Sequence, residues 1–131
     1  MQYSTAVRNA RANATETTIG TSPQLRIRSG AAPANPAAAR TGTVLATLPL
    51  PADWLSDASN GVKSLLGTWQ DTAADASGTA GHWEIMDNAG TTCHVQGSVG
   101  TSGAELNLLS LALVAGQPVN ITSFTFTEGN A

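Results

Sequence analysis

Gly-Thr-Ala-Gly-His-Trp-Glu-Ile-Met-Asp-Asn-Ala-Gly-Thr-Thr-Cys-His-Val-Gln-Gly-Ser-Val, residues 78–99, is the stretch on which the fold turns. Two alternating runs flank Asn88-Ala89-Gly90, the pattern of a β-hairpin. Trp83 and Ile85 share one face of the first run; Cys93, Val95 and Val99 share one face of the second. Opposed residues project to the same side of a sheet, so the pattern predicts Trp83 opposite Val95 and Ile85 opposite Cys93. Asp87 then faces Thr91 across a three-residue loop, whose last position calls for a left-handed residue, and Gly90 stands there. A two-residue loop would set Trp83 against His94 and expose half of the apolar set. On the outer face the same register sets Glu84 opposite His94 and His82 opposite Gln96. That group is either a weak metal site, a base poised by a carboxylate, or a cross-strand Glu–His pair in water. The chain has only two histidines and metal sites draw three or four ligands from several elements, which favours the pair in water. The hairpin specifies fold rather than chemistry.

Working outward, 131 residues fit one domain, long enough to bury roughly two thirds of the unfolded surface without a staple. Cys93 is the only cysteine, so no disulfide forms within the chain. Its place in the hairpin predicts a buried small hydrophobe rather than a reactive thiol. The net charge is −3, and Arg8, Arg11, Arg26, Arg28, Arg40 and Lys63 are the whole basic inventory. These are too few and too scattered for a nucleic-acid footprint. Charged residues make up 11%, against roughly 25% in ordinary soluble domains. Such a surface suits a protein packed against other protein, and equally a low-charge monomer. The N-terminus lacks a basic region followed by an apolar core, and no run approaches the ~18 apolar residues of a membrane span. Neither secretion nor membrane insertion is expected.

Before the hairpin, Ser4 to Ile19 reads as a helix capped by Ser4 or Thr5 and stopped at Gly20. Its apolar stripe is thin (Val7, Ala10 and Ala14), and Thr5, Thr15, Thr17 and Thr18 weaken it, so it needs a partner surface. That surface is the chain's own sheet, a neighbouring subunit, or nothing, leaving a flexible arm. Gln24 to Arg28 is a strand with Leu25 and Ile27 inward and Arg26 and Arg28 on a solvated outer face, or one facing an acidic partner. Ser29 to Gly42, with Pro33 and Pro36, reads as a long surface loop. Thr43 to Leu48 is a strand with Val44, Ala46 and Leu48 on one side and Leu45 on the other, ended by Pro49 and Pro51. Asp53 is positioned to cap a short helical turn through Trp54 and Leu55, with Trp54 plugging one end of the core. Ser59-Asn60-Gly61 signals a turn, Val62 to Trp69 another strand, and Asp71 to Ala80 a small-residue loop.

After the hairpin, Leu106, Leu108, Leu109, Leu111 and Leu113 alternate with a phase change at Leu109. Val119 and Ile121 give way to Phe124 and Phe126 on the other phase, beyond an Ala115-Gly116-Gln117-Pro118 turn. Each change requires a bulge, a corner or burial on both faces. Repeated short strands at this spacing predict a mainly all-β chain: a two-sheet antiparallel sandwich or a barrel over residues 21–131, preceded by a helical arm over 1–20.

No nucleophile elbow, phosphate-binding loop or Cys-x-x-Cys motif occurs. The carboxylates Asp53, Asp57, Asp71, Asp75, Asp87 and Glu105 fall mostly in loops, and nothing selects a pair for glycoside hydrolysis. Asp71, Asp75 and Asp87 do not match a calcium loop. Trp54, Trp69 and Trp83 form either a sugar platform or, more commonly, core.

Four stretches carry a resemblance that spans nearly the whole chain. They are Arg8-Asn9-Ala10-Arg11 running to Glu16-Thr17-Thr18-Ile19-Gly20; Gly78-Thr79-Ala80-Gly81-His82-Trp83; Cys93-His94-Val95-Gln96-Gly97-Ser98-Val99; and Ile121-Thr122-Ser123-Phe124 ending at Gly129-Asn130. The chain resembles small proteins of tailed bacteriophages and prophages, and among characterised ones the jelly-roll decoration (cement) proteins of phage heads. The resemblance implies a jelly roll with no catalytic residue, cofactor or metal. It implies residence on the outer surface of the virion after synthesis in the host cytoplasm. The implied partners are the major capsid protein and further copies of the chain, as a dimer or trimer, with no nucleic acid or membrane. The contact would fall on the N-terminal segment, at Tyr3, Val7, Arg8, Ala10, Arg11 and Ala14. The competing expectations are a carbohydrate- or receptor-binding sandwich of a phage tail or head fibre, which exposed Trp54 or Trp69 would favour, and a small glycan hydrolase, which needs a cleft with two close carboxylates.

Overall fold

A computed structural model describes residues 1–129; the Asn130 end of the fourth resembling stretch lies outside the described residues. The elements in chain order are α1 (Thr5–Ile19), β1 (Gln24–Ser29), β2 (Val44–Pro49), β3 (Val62–Ser64), β4 (Trp69–Asp71), β5 (Gly78–Met86), β6 (Cys93–Gly100), β7 (Leu106–Asn107), β8 (Ala112–Leu113), β9 (Val119–Ile121) and β10 (Thr125–Thr127). The fold is β-rich with one helix among the described residues. The principal sheet has the order β2-β1-β5-β6-β7, with β8 also pairing β5; β7 runs parallel to β6 and the other pairs are antiparallel. Two short ladders, β3 with β10 and β4 with β9, complete it.

β1 lies between β2 and β5, so its alternation sets both faces. Leu25 pairs with Leu48 on one side and Ile85 on the other; Ile27 pairs with Ala46 and Trp83. All six residues are buried. On the opposite face Arg26 pairs with Thr47 and Glu84. The predicted β1 phase is therefore found.

The hairpin forms, but its register differs from the predicted one. Trp83 faces Gly97, Ile85 faces Val95 and Met86 faces Cys93, with a bulge between the last two pairs. Gly97 explains the choice. A Cβ built there would lie 2.6 Å from the Trp83 ring, so only glycine admits the indole across the strand. The bulge at His94 then moves Cys93 off the apolar face, where the alternation places it, onto the face of Glu84 and Gln96. The loop is also one residue longer than predicted. Asp87 N–H donates to the Thr92 carbonyl at 2.9 Å and Gly90, at φ +72°, donates to the Asp87 carbonyl at 3.0 Å. The Asp87 carboxylate accepts the N–H groups of Thr91 and Thr92 at 2.8 and 3.2 Å. These backbone donors, Thr91 first, hold its carboxyl below the usual aspartate value.

Trp69 sits between Trp54 and Phe124, with ring centroids 6.0 and 5.3 Å away, and Phe124 meets Trp83 edge-on at 5.4 Å. This aromatic run joins the short ladders to the apolar face of the principal sheet in one core. Trp54 and Trp83 occupy the core positions expected of them. Two predicted elements differ. Asp53 caps no helix: Trp54 and Leu55 run extended, and Leu55 bridges Leu65. The predicted Val62–Trp69 strand is cut into β3 and β4 by Gly67, at φ +75°. Leu45, alone on its side, is the residue by-passed by the bulge between β1 and β2 and is buried nonetheless. The turn at Ser59-Asn60-Gly61 is found, with Asn60 and Gly61 both at positive φ and Ser59 and Val62 exchanging hydrogen bonds. The C-terminal phase changes fall at strand ends: Leu106 and Leu108 are buried while Leu109 points wholly into solvent. Val119 and Ile121 belong to the ladder with β4, and the chain then turns into the ladder with β3, so of the three alternatives the phase change allows this one is a corner.

Substituting Gly97→Val is expected to destabilise the fold by ~1–3 kcal/mol through overpacking against Trp83, read from urea unfolding followed by tryptophan fluorescence. Asp87 has a folded-state pKa below its unfolded one, so its contribution is present above the ordinary value of 3.8 and is lost as pH falls through that value to the lower folded one. Asp87→Asn should therefore lower the unfolding midpoint at pH 7, and the gap to wild type should close in strong acid.

Candidate functional site

The face carrying His82 and Glu84, predicted to be in water, is covered. His82 is 1% and Glu84 0% exposed. The cover is residues 30–42, which cross the sheet as a strap rather than standing off it as a free surface loop. Neither predicted pairing forms: Glu84 faces Gln96 and Arg26, and His82 faces Ser98 and Arg28. His94 belongs to the bulge instead, lining a shallow groove with Ala14 and Thr18 of α1.

Glu84 is the hub. Arg28 Nε donates to its Oε1 at 2.6 Å, and Arg40 Nη1 to its Oε2 at 3.1 Å. Arg40 reaches it from the far end of the strap and ties the strap to itself, donating to the carbonyls of Asn35, Pro36 and Ala38 at 2.9, 3.0 and 3.0 Å. It also donates to Gln96 Oε1 at 3.0 Å and approaches Cys93 Sγ at 3.3 Å. Gln96 Nε2 returns a bond to the Pro33 carbonyl at 2.7 Å. At the other end His82 Nδ1–H donates to the Gly30 carbonyl at 2.9 Å. That close pass requires glycine at 81, where a Cβ would lie 2.0 Å from the Gly30 oxygen. The Glu84 carboxylate is committed to two guanidinium groups, and His82 Nε2 is buried without a partner. The arrangement fastens a loop and presents neither a free base nor a ligand set.

The Cys93 thiol is half-buried beneath Arg40, with its S–H directed to the Val95 carbonyl at 3.4 Å. Burial raises its pKa, against the opposing pull of Arg40. Asp71 accepts the Thr47 and Ala73 N–H groups at 2.9 and 3.0 Å, and Asp75 the Thr47 hydroxyl at 2.8 Å, while Asp87 caps its own turn. Among the described residues no three His, Cys, Asp or Glu side chains gather as a metal set. Trp54, Trp69 and Trp83 are each 1% exposed, so none offers a sugar platform.

The helix turns the opposite way from its apolar stripe. Val7, Ala10 and Ala14 face outward. The inward side is largely polar: Arg8 donates to the carbonyls of Glu128 and Asn60 at 3.0 and 2.9 Å, and Asn9 Oδ1 accepts Gly61 N–H at 2.7 Å. Lys63, 2% exposed, is gripped by Asn13 and Glu16, each at 2.7 Å. Only Ala12 and Ile19 add buried apolar surface. Arg11 pairs with Glu128 at 2.8 Å and lies 4.6 Å over the Tyr3 ring. Of the six predicted contact residues, Arg8 and Arg11 thus bind their own domain, with Tyr3 half-buried beside Arg11, and the three apolar ones stand free on the surface. The polar set Asn9, Asn13 and Glu16 recurs at helical spacing in the sequence and was the available signal for the inner face. No helix among the described residues is long and apolar enough to cross a membrane. Set against protein-family models, curated proteins and solved structures, the chain matches none.

Glu84→Gln removes the anion and leaves two buried guanidinium groups uncompensated. A loss of about 3–5 kcal/mol is expected from chemical unfolding, the cost of breaking a buried pair from one side.

Proposed function

We propose that this protein is a virion structural protein that decorates and cements a bacteriophage capsid, bridging major capsid subunits from outside. In this reading the curled sheet and the two short ladders are the layers of a jelly-roll-type sandwich, and no reaction is performed. The observation that carries the reading is the orientation of α1. Its polar side fastens it to its own domain, so its small apolar stripe is presented on a rigid base. Val7, Ala10 and Ala14 then make the contact, and Arg8, Arg11 and Tyr3 hold the segment that bears them. A chain with only 11% charged residues has few charges to desolvate on burial against a neighbour. Binding only the assembled shell stabilises it by linkage, and many symmetric copies, themselves dimers or trimers, make weak contacts sum.

Deleting residues 1–19 would strand buried Lys63, so surface variants are the cleaner test. In Val7→Asp/Ala10→Glu, unfolding should shift by less than about 0.5 kcal/mol, as for exposed positions. Co-sedimentation with purified empty heads of the source phage should be lost. Wild-type protein that does not co-sediment, or a variant that still fills the heads, contradicts the proposal.

A further inference from the structure

Lys63, Asn13 and Glu16 meet in a geometry that exceeds what an ion pair needs. The Lys63 amine, its side chain 3% exposed, is hydrogen-bonded at 2.7 Å both to Glu16 Oε2 and to Asn13 Oδ1. Asn13 Oδ1 accepts a second bond from Ala58 N–H at 3.3 Å. With two donors converging on it, that atom is the carboxamide oxygen. Glu16 is aimed by a contact from Leu55 N–H to its Oε1 at 3.4 Å. A lysine ammonium, a carbonyl that accepts two hydrogen bonds and a carboxylate that touches the ammonium are therefore held together at the join between α1 and β3.

We propose that Lys63 and Asn13 form an intramolecular isopeptide bond, with Glu16 as the proton-transfer catalyst. Glu16 takes a proton from the Lys63 ammonium along their hydrogen bond. The free amine attacks Asn13 Cγ, one bond from the oxygen it already contacts, and the Ala58 N–H stabilises the charge that grows on Oδ1. The Nζ–Cγ bond forms and the Cγ–Nδ2 bond breaks. Glu16 relays a proton to Nδ2, which leaves as ammonia, and the second proton released from Nζ converts the ammonia to ammonium. Glu16 ends as the carboxylate it began as, and no oxidant or co-reactant is consumed. Asn13 is exposed on its outer side, which gives the ammonia an exit. The bond would lock α1 covalently onto β3 and so fix the outward stripe.

Mass spectrometry of the intact, purified wild-type chain tests this. The expected mass is below the sequence mass by one ammonia, with a proteolytic fragment joining the residue 13 and residue 63 peptides. Glu16→Gln should fold and keep the full sequence mass, as should Lys63→Met. A wild-type chain at full mass overturns the proposal. So does an ammonia loss that maps to a succinimide at Asn60-Gly61, which mild base hydrolyses to aspartate and isoaspartate while an isopeptide bond survives.

Discussion

A carboxylate with no exposure to water stands at the centre of the principal sheet. An isolated buried charge would be very costly, and Glu84 persists because Arg28 approaches from the neighbouring strand and Arg40 from the strap. That requirement positions much of the chain. It pins residues 30–42 across the sheet, sets β1 beside β5 in the register that brings Arg28 within reach, and places Gln96 where it bonds both Arg40 and the strap. The same demand recurs at the helix, where Lys63 is enclosed by Glu16 and Asn13. All six basic side chains bond within the chain: two to Glu84, one to Glu16, two to residue 128, and Arg26 to Gln24. The basic side chains of this protein are committed within the chain, and the exposed carboxylates Asp53, Asp57, Asp75 and Glu105 stand among small neutral residues.

The opposite face of the sheet obeys the hydrophobic effect. Leu25, Ile27, Leu48, Ile85 and Trp83 line it, and the aromatic run through Phe124, Trp69 and Trp54 closes it. Gly97 and Gly81 mark where the two faces are tightest, one receiving an indole and the other a crossing backbone. The sheet is thus buried on both sides by different means: aromatic packing on one, a hydrogen-bonded strap on the other.

Much of this was legible in the sequence. Alternation locates the hairpin, β1, β2 and the β-rich class, while capping residues and glycine locate the ends of α1 and the Asn60-Gly61 turn. Alternation does not give the register, because space outranks apolar pairing: Trp83 opposite Val95 satisfies hydrophobicity, but the indole takes the glycine slot two residues on. The cover on the outer face is hidden from the sequence for a related reason. Alternation marks a residue as polar, and polar is taken as wet unless something covers it. The cover is an Ala- and Pro-rich loop whose one informative residue, Arg40, comes at its end. The orientation of the helix is not legible from its thin apolar stripe, because its inner face is set by Asn9, Asn13 and Glu16, whose partners lie some fifty residues away.

The claim on which the structure rests, that Arg40 is locked onto Glu84 beneath the strap, is tested most directly by side-chain nitrogen NMR of the arginines. Arg40 should show separate, slowly exchanging guanidinium N–H signals with cross-relaxation to Gln96 and Cys93, unlike half-exposed Arg11. A single averaged, rapidly exchanging Arg40 signal resembling that of Arg11 would contradict it.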